Sequence, residues 1–269
     1  MYGILSPFKP TKFRSDIAPV TELMKPKTAK KTTEVPSNKP KGKLIYAGRD
    51  GLGAYTEHPD HFPKDVIYQD EKYVAIHDRF PKSSVHTLLL PRGDVNMLHP
   101  LEAFQDLHFL KRTEEKAQKL KNIVAKELQR KFGQFSAQDK AREAVLDGDV
   151  DLADGEELPK GRDWESEVLV GVHLHPSMNH LHIHVLSRDN YSGCLKHRNH
   201  YNSFNTPFFV RLDEFPLGKD DPRLLQNWER CENYLERDMR CWRCGKNFGR
   251  SMVRLKEHLK EEFEGWKKE

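Results

Sequence analysis

Between residues 44 and 212 the apolar and polar positions fall into short patterned runs. Leu44-Ile45-Tyr46-Ala47 opens them as a brief apolar segment. Val66-Ile67-Tyr68 and Tyr73-Val74-Ala75-Ile76, joined by the polar turn Gln69-Asp70-Glu71-Lys72, predict a β-hairpin. Val85-His86-Thr87-Leu88-Leu89-Leu90 predicts a buried strand that stops at Pro91. Leu98, Leu101, Phe104, Leu107 and Leu110 recur near helical spacing and predict a long amphipathic helix from about Met97 to Leu128, with Pro100 tolerated in its first turn. Gln138–Val145 extends that helix or adds another, Glu167–Val172 reads as a strand, and Phe208–Leu212 as the closing strand. The sum is an α+β domain, an antiparallel sheet with helices.

The stretch from Gly171 to Ser187 carries a further signal. His180, His182 and His184 alternate with Leu181, Ile183 and Val185. Period two places the three imidazoles on one face of a half-buried strand, with the aliphatic side chains packed inward. At about 3.3 Å per residue the outer rings lie roughly 13 Å apart, too far for one ion whose bonds to nitrogen are about 2.0 Å. A neighbouring pair could still share an ion with a third ligand, and a lone strand histidine is commonly a satisfied polar residue. The catalytic alternative has a mechanism. A neutral imidazole attacks phosphorus through one ring nitrogen when a hydrogen bond holds the other. His182 is the natural nucleophile because both neighbours can flank the same phosphate. His184 and a nearby hydroxyl would stabilise the equatorial oxygens, and water would then release the nucleotide.

Composition adds a second signal. The 269 residues are 36% hydrophobic and 32% charged, polar enough that part of the chain is expected to stay unpacked. That part is residues 1–43, a disordered basic tail in which nine Lys and one Arg face three acids. It is either a plain solvated tail or an aid to nuclear import and phosphate attraction. Net charge is only +4, so nucleic-acid binding must come from local patches. No apolar run approaches the ~18 residues of a membrane span, and no secretory signal follows Met1, so an intracellular location is expected. In a reducing compartment the four cysteines favour a metal over disulfides. Cys241-x2-Cys244, then thirteen residues, His258, three more and Glu262 has the spacing of a Cys2His2 finger with glutamate as the last ligand. His258 and Glu262 share one face of a helix predicted over Met252–Phe263. Cys231 lies outside the spacing and reads as a buried thiol, and Leu224, Leu225 and Trp228 read as a helix that docks the finger. Arg240, Arg243, Lys246, Arg250, Arg254, Lys256 and Lys260 make the module basic, suited to backbone contacts or simply solvated.

His-x-His-x-His with apolar residues between and after resembles the signature of the histidine triad family. Ser177, five before the central histidine, falls where that family places a phosphate-binding hydroxyl. Pro176-Ser177-Met178-Asn179-His180-Leu181-His182, then Leu195-Lys196, then His200 to Thr206 narrow the resemblance to the aprataxins, over roughly residues 45–269. The resemblance implies a histidine triad fold over residues 44–212, with an insertion at about 129–165, and a finger domain over residues 213–269. That insertion holds the acidic run Asp147–Glu157, which lacks the closing glutamate of a calcium loop and is expected at the surface away from DNA.

The resemblance also implies an activity and a site. Aprataxins are hydrolases that remove AMP from 5′-adenylated DNA ends left by abortive ligation, through a covalent His-AMP intermediate, and they also act on 3′ guanylate caps. His182, His180, His184, His200 and Ser177 would be catalytic. His173, Tyr55, Asp78, Lys82, His86, Lys196 and Ser203 would line the nucleotide or DNA. In that family an aromatic wedges against the terminal base pair. Gly48 and Arg49 stand where it is expected, which leaves Tyr55 as the nearest candidate beside Tyr46; a core tyrosine on an amphipathic helix is its other reading. Fungal aprataxins resemble the Cys2His-Glu arrangement, implying one structural Zn2+ on Cys241, Cys244, His258 and Glu262, with no catalytic metal. DNA would be the partner, AMP the product and the nucleus the location. Two rivals stand beside this reading: a histidine triad hydrolase of small nucleotides, and a non-enzymatic DNA-end binder.

Overall fold

The computed structural model describes residues 48–224 and 233–269. The basic tail, Leu44–Ala47 with Tyr46, Leu225, Trp228 and Cys231 lie outside the described residues. The expected α+β architecture is present. A short helix α1 (Gly53–Glu57) precedes β1 (Val66–Gln69), β2 (Tyr73–His77) and β3 (His86–Pro91). Helices α2 (Pro100–Ala103), α3 (Leu107–Phe132) and α4 (Ala137–Leu146) follow. Then come β4 (Val168–His173), β5 (Ile183–Ser187), α5 (Arg198–Asn205), β6 (Phe209–Arg211) and the finger helix Met252–Trp266. The six strands pair antiparallel in the order β1-β2-β3-β5-β4-β6, so β3 and β5 are central.

Alternation decides what each sheet face meets. On one face Leu89, Ile183, Val185 and Val172 pack with Phe109, Leu110, Ala117, Leu120, Val124 and Leu128 of α3 in a single core. The other face carries Leu88 and Leu90 beneath Leu52 of the α1 segment, and Leu186 beneath Phe204 and Phe209.

The helix predicted from Met97 to Leu128 is two helices. Asp106 adopts an extended conformation and its carboxylate accepts the N–H groups of His108 and Phe109, capping a new start at Leu107. Leu107, part of the predicted apolar stripe, is 61% exposed as a result. The insertion is also less peripheral than its acidity suggests. Its run Asp147–Glu157 is exposed, but Asp139 is buried and accepts the Trp164 indole N–H at 2.7 Å and the Arg162 N–H at 2.9 Å. The Arg162 guanidinium sits over the rings of Trp164 and Trp266 and pairs with Glu167 at 3.2 Å. Phe263 and Trp266, at the end of the finger helix, stack with Phe132. The finger helix therefore joins the same core as α3, seated on side chains that the insertion supplies.

Candidate active site

The imidazole row lies where β3 and β5 diverge. Pairing of β5 with β3 ends at Leu89↔Ile183, and with β4 at Gly171↔His184. Only His184 of the three is inside the strand. His180 and His182 precede it, and the Leu181 N–H between them turns to the carbonyl of Asn96 at 2.6 Å. The expected alternation survives locally: Leu181, Ile183 and Val185 are at most 1% exposed in the α3 core. The other side is not half-open, because His180, His182 and His184 are buried too, beneath Phe204 and the neighbouring loops.

Strand register gathers further histidines. His86 pairs with Leu186 and Leu88 with His184, so His86 and His184 are diagonal neighbours on one face. His173 ends β4 on the same face, its ring centroid 4.4 Å from that of His184. Gly171 opposite His184 has no side chain, and a Cβ there would meet the Phe209 ring at 2.8 Å and the Val210 carbonyl at 2.3 Å.

Hydrogen bonds fix the tautomers. His182 Nδ1 lies 2.7 Å from the His180 carbonyl, which only accepts, so Nδ1 carries the proton and Nε2 keeps its lone pair. His86 Nδ1 accepts the Lys82 N–H at 3.1 Å. Its Nε2–H therefore donates to His184 Nδ1 at 3.0 Å, with Asp78 Oδ2 3.5 Å from the same nitrogen. His184 then carries its own proton on Nε2. That atom and His173 Nε2 are buried and bond no group among the described residues. Burial pushes the pKa of His182 down, pushes His86 down to about 4, and pushes His173 and His184 well below the usual imidazole range. These rings are neutral near pH 7.

Cations ring this neutral cluster. Lys82 is half-buried, and its ammonium, lowered chiefly by burial, bonds the Phe80 carbonyl. His200, near the start of α5, accepts the Lys196 N–H on Nδ1 at 3.3 Å and is lowered chiefly by burial. Ser203 donates to the His200 carbonyl at 3.3 Å. Lys196 is exposed. Ser177 is exposed on the loop between β4 and the row, a loop held by the Asn179 N–H on the Arg49 carbonyl and the Asn179 amide on Asp50. Tyr55 is on α1, its ring 4.4 Å from Phe62 and its hydroxyl donating to Asp65 at 3.2 Å. Asp78, His86 and His184 bring one donor atom each within 4.8 Å of one another, yet hydrogen bonds between them already engage His86 and His184.

The structure adds partners that have no motif. Phe204 and Phe209 wall the row. Asp189, fully buried, receives the N–H groups of Ser84 and Tyr191 on Oδ1 and the hydroxyls of Ser84 and Ser187 on Oδ2, tying the start of β3 to the end of β5.

The finger donors also converge. One atom each from Cys241, Cys244, His258 and Glu262 lies within 4.8 Å of the others, with Cys244 Sγ and Glu262 Oε1 each 3.1 Å from His258 Nε2. These separations suit a tetrahedral ion with bonds of about 2.0–2.3 Å. Arg243 pairs with Glu262 Oε2 at 2.7 Å and with Glu269, so it is engaged inside the module. Arg240, Lys246, Arg250, Arg254, Lys256 and Lys260 are exposed.

Comparison with known proteins follows this division. A HIT domain family model matches residues 60–191, and one described as a C2HE / C2H2 / C2HC zinc-binding finger matches residues 205–265. An aprataxin-like protein of Schizosaccharomyces pombe is 34% identical over 81% of this chain and 82% of its own length. One of Saccharomyces cerevisiae is 36% identical over 80% of this chain and 95% of its own. The crystal structure of an aprataxin ortholog, Hnt3, in complex with DNA superposes with a TM-score of 0.62 at 32% identity, covering 81% of this chain and 96% of that one. With those likenesses spanning both the imidazole row and the finger, the chain belongs to the aprataxin family.

Proposed function

We propose that the protein is a DNA-processing hydrolase that removes AMP from 5′-adenylated DNA ends. The observation that carries this reading is the His182 imidazole, neutral and held by the His180 carbonyl at 2.7 Å so that Nε2 is free to attack. Nε2 would form a bond to the adenylate phosphorus while the phosphoanhydride P–O bond breaks and the DNA 5′-phosphate departs. The His184 Nε2–H, aimed by His86, would stabilise a phosphate oxygen. His200 and Lys196 would neutralise the departing phosphate, with Ser177 a further donor. Water then cleaves the N–P bond and releases AMP, leaving a 5′-phosphate terminus. A 3′ guanylate cap presents the same pyrophosphate and would follow the same path.

The DNA side of the reading rests on family membership, on the relatives crystallised with DNA, and on the exposed cations of the finger. Zn2+ on Cys241, Cys244, His258 and Glu262 would brace that lobe and take no part in chemistry at phosphorus.

The test is incubation with 5′-adenylated nicked DNA followed by acid quench and trapping of labelled protein. Wild type is expected to release AMP and carry label on His182. His182→Ala is expected to bind DNA without releasing AMP. Normal turnover by that variant would remove His182 as nucleophile, and turnover of a small adenylate ester with none of DNA would favour the small-nucleotide hydrolase.

A further inference from the structure

We propose that Phe80 is a base-stacking platform for the DNA end, an inference that rests on the function proposed above. Phe80 is 62% exposed, the most exposed aromatic among the described residues. A single exposed apolar side chain is ordinary at a protein surface. Three features set this one apart. It stands midway between Asp78 and Lys82, which face the histidine cluster. Its backbone is pinned on both sides: its N–H donates to Asp78 Oδ1 at 2.7 Å, its carbonyl accepts the Lys82 ammonium, and the next carbonyl, of Pro81, accepts the Ser192 hydroxyl at 2.6 Å. The last bond ties this loop to the segment that leads into Lys196 and His200. Finally, the ring is bracketed by cations, with the Arg79 guanidinium 5.9 Å from its centroid and Lys82 two residues on.

A ring held out from a rigid loop between two cations suits a base flanked by backbone phosphates. Stacking of that kind is indifferent to sequence. Tyr55, the ring the sequence offers for this task, has its face against Phe62 and its hydroxyl on Asp65. The occupant we assign to Phe80 is a nucleobase of the DNA, not the adenine of the departing AMP. The ring is exposed on the outer lip, whereas the imidazoles that would handle AMP are buried.

Phe80→Ala and Phe80→Trp are compared with wild type in two assays. The first measures kcat/KM on 5′-adenylated nicked DNA and on a small adenylate ester. The second measures binding of 5′-phosphorylated nicked DNA by anisotropy, which needs no turnover. Stacking is worth about 1–3 kcal/mol, so Phe80→Ala is expected to weaken DNA binding, and to lower the ratio of DNA to small-ester kcat/KM, by roughly 5- to 150-fold. Phe80→Trp is expected to restore both. Unchanged DNA affinity in Phe80→Ala overturns the proposal. So does an equal loss on both substrates, which would place the ring against adenine. Failure of wild type to release AMP from DNA would instead sink the hydrolase reading, and the anisotropy series would still decide the role of the ring.

Discussion

The Tyr201 hydroxyl accepts the backbone N–H of Trp242 at 2.9 Å while donating to the carbonyl of Arg240 at 2.8 Å. One buried oxygen on α5, adjacent in sequence to His200, thus holds both sides of the residue Cys241. The zinc knuckle and the cationic edge of the imidazole cluster share a joint.

Tyr201→Phe keeps the ring and deletes that oxygen. Trp242 N–H and the Arg240 carbonyl lose a partner, and each buried group left unmatched costs about 1–3 kcal/mol. The variant is expected to unfold at a lower temperature and to release zinc faster to a chromogenic chelator. A Tm and a release rate equal to wild type would show that the joint is not under load.

Zinc removal should reach His200 along the same path. The finger donors sit on a two-cysteine turn and one helix face, so without an ion the turn loses its tether. Chelation, or Cys241→Ala, is expected to raise the salt sensitivity and the KM for adenylated nicked DNA more than it changes kcat/KM for a small adenylate ester. Equal effects on both substrates would point to collapse of the whole fold, and melting curves would report that directly.

These two expectations depend on contacts that the sequence does not announce. The histidine row and the Cys2His-Glu spacing are legible because their chemistry requires fixed residue types at fixed intervals. The sheet is legible because β3 and β5 are continuous apolar runs or strict alternations. What escapes is set by tertiary choice. Asp106 caps a helix in the middle of an apolar stripe, and nothing in the period reveals which polar residue will do so. α5 covers Arg198–Asn205, a polar stretch that reads as a loop until Tyr201 and Phe204 find their burial. Arg162 and Trp164 look like surface insertion until Trp266 closes on them from about a hundred residues away.

The neutral histidines set a pH dependence whose sign follows from burial. His86 has its pKa near 4 in the fold and an ordinary value of 6.5 when unfolded. Between those values the unfolded chain binds a proton that the native chain does not. Stability is therefore full above pH 6.5 and declines as pH falls toward 4, by on the order of 3 kcal/mol for this ring alone. His173 and His184 act in the same direction. Urea unfolding at pH 7.5 and at pH 5 is expected to show a loss in wild type and a smaller one in His86→Gln. Because His182 is lowered too, the acid limb of phosphoramidate formation is expected below pH 6.5.

Asp189 receives four hydrogen bonds in a site that burial makes hostile to charge, and burial raises its pKa above the ordinary value in spite of them. Asp189→Ala leaves the N–H groups of Ser84 and Tyr191 without their acceptor, at about 1–3 kcal/mol each. Asp189→Asn keeps Oδ1 for those two and offers its amide to the serine oxygens, so it is expected to lose less. The order wild type, Asn, Ala in chemical-denaturation midpoint is the prediction. Asn and Ala of equal stability would mean that the N–H contacts contribute little.

Gly171 sets the spacing behind His184. No strain in its own backbone demands glycine; the constraint is the Val210 carbonyl and the Phe209 ring, which occupy the space a methyl would fill. Phe209 also lies against His173 and His184, so displacing it disturbs two rings that the proposed chemistry uses. Overpacking of a core typically costs about 1–3 kcal/mol, and here the obstacle is backbone, which yields less readily than a side chain. Gly171→Ala is therefore expected to lower Tm and to reduce kcat on adenylated DNA. Gly171→Ala combined with Phe209→Leu is expected to recover little, because the Val210 carbonyl remains in the way. Full recovery in the double variant would show that the ring, and not the neighbouring strand, is what excludes a side chain at this position.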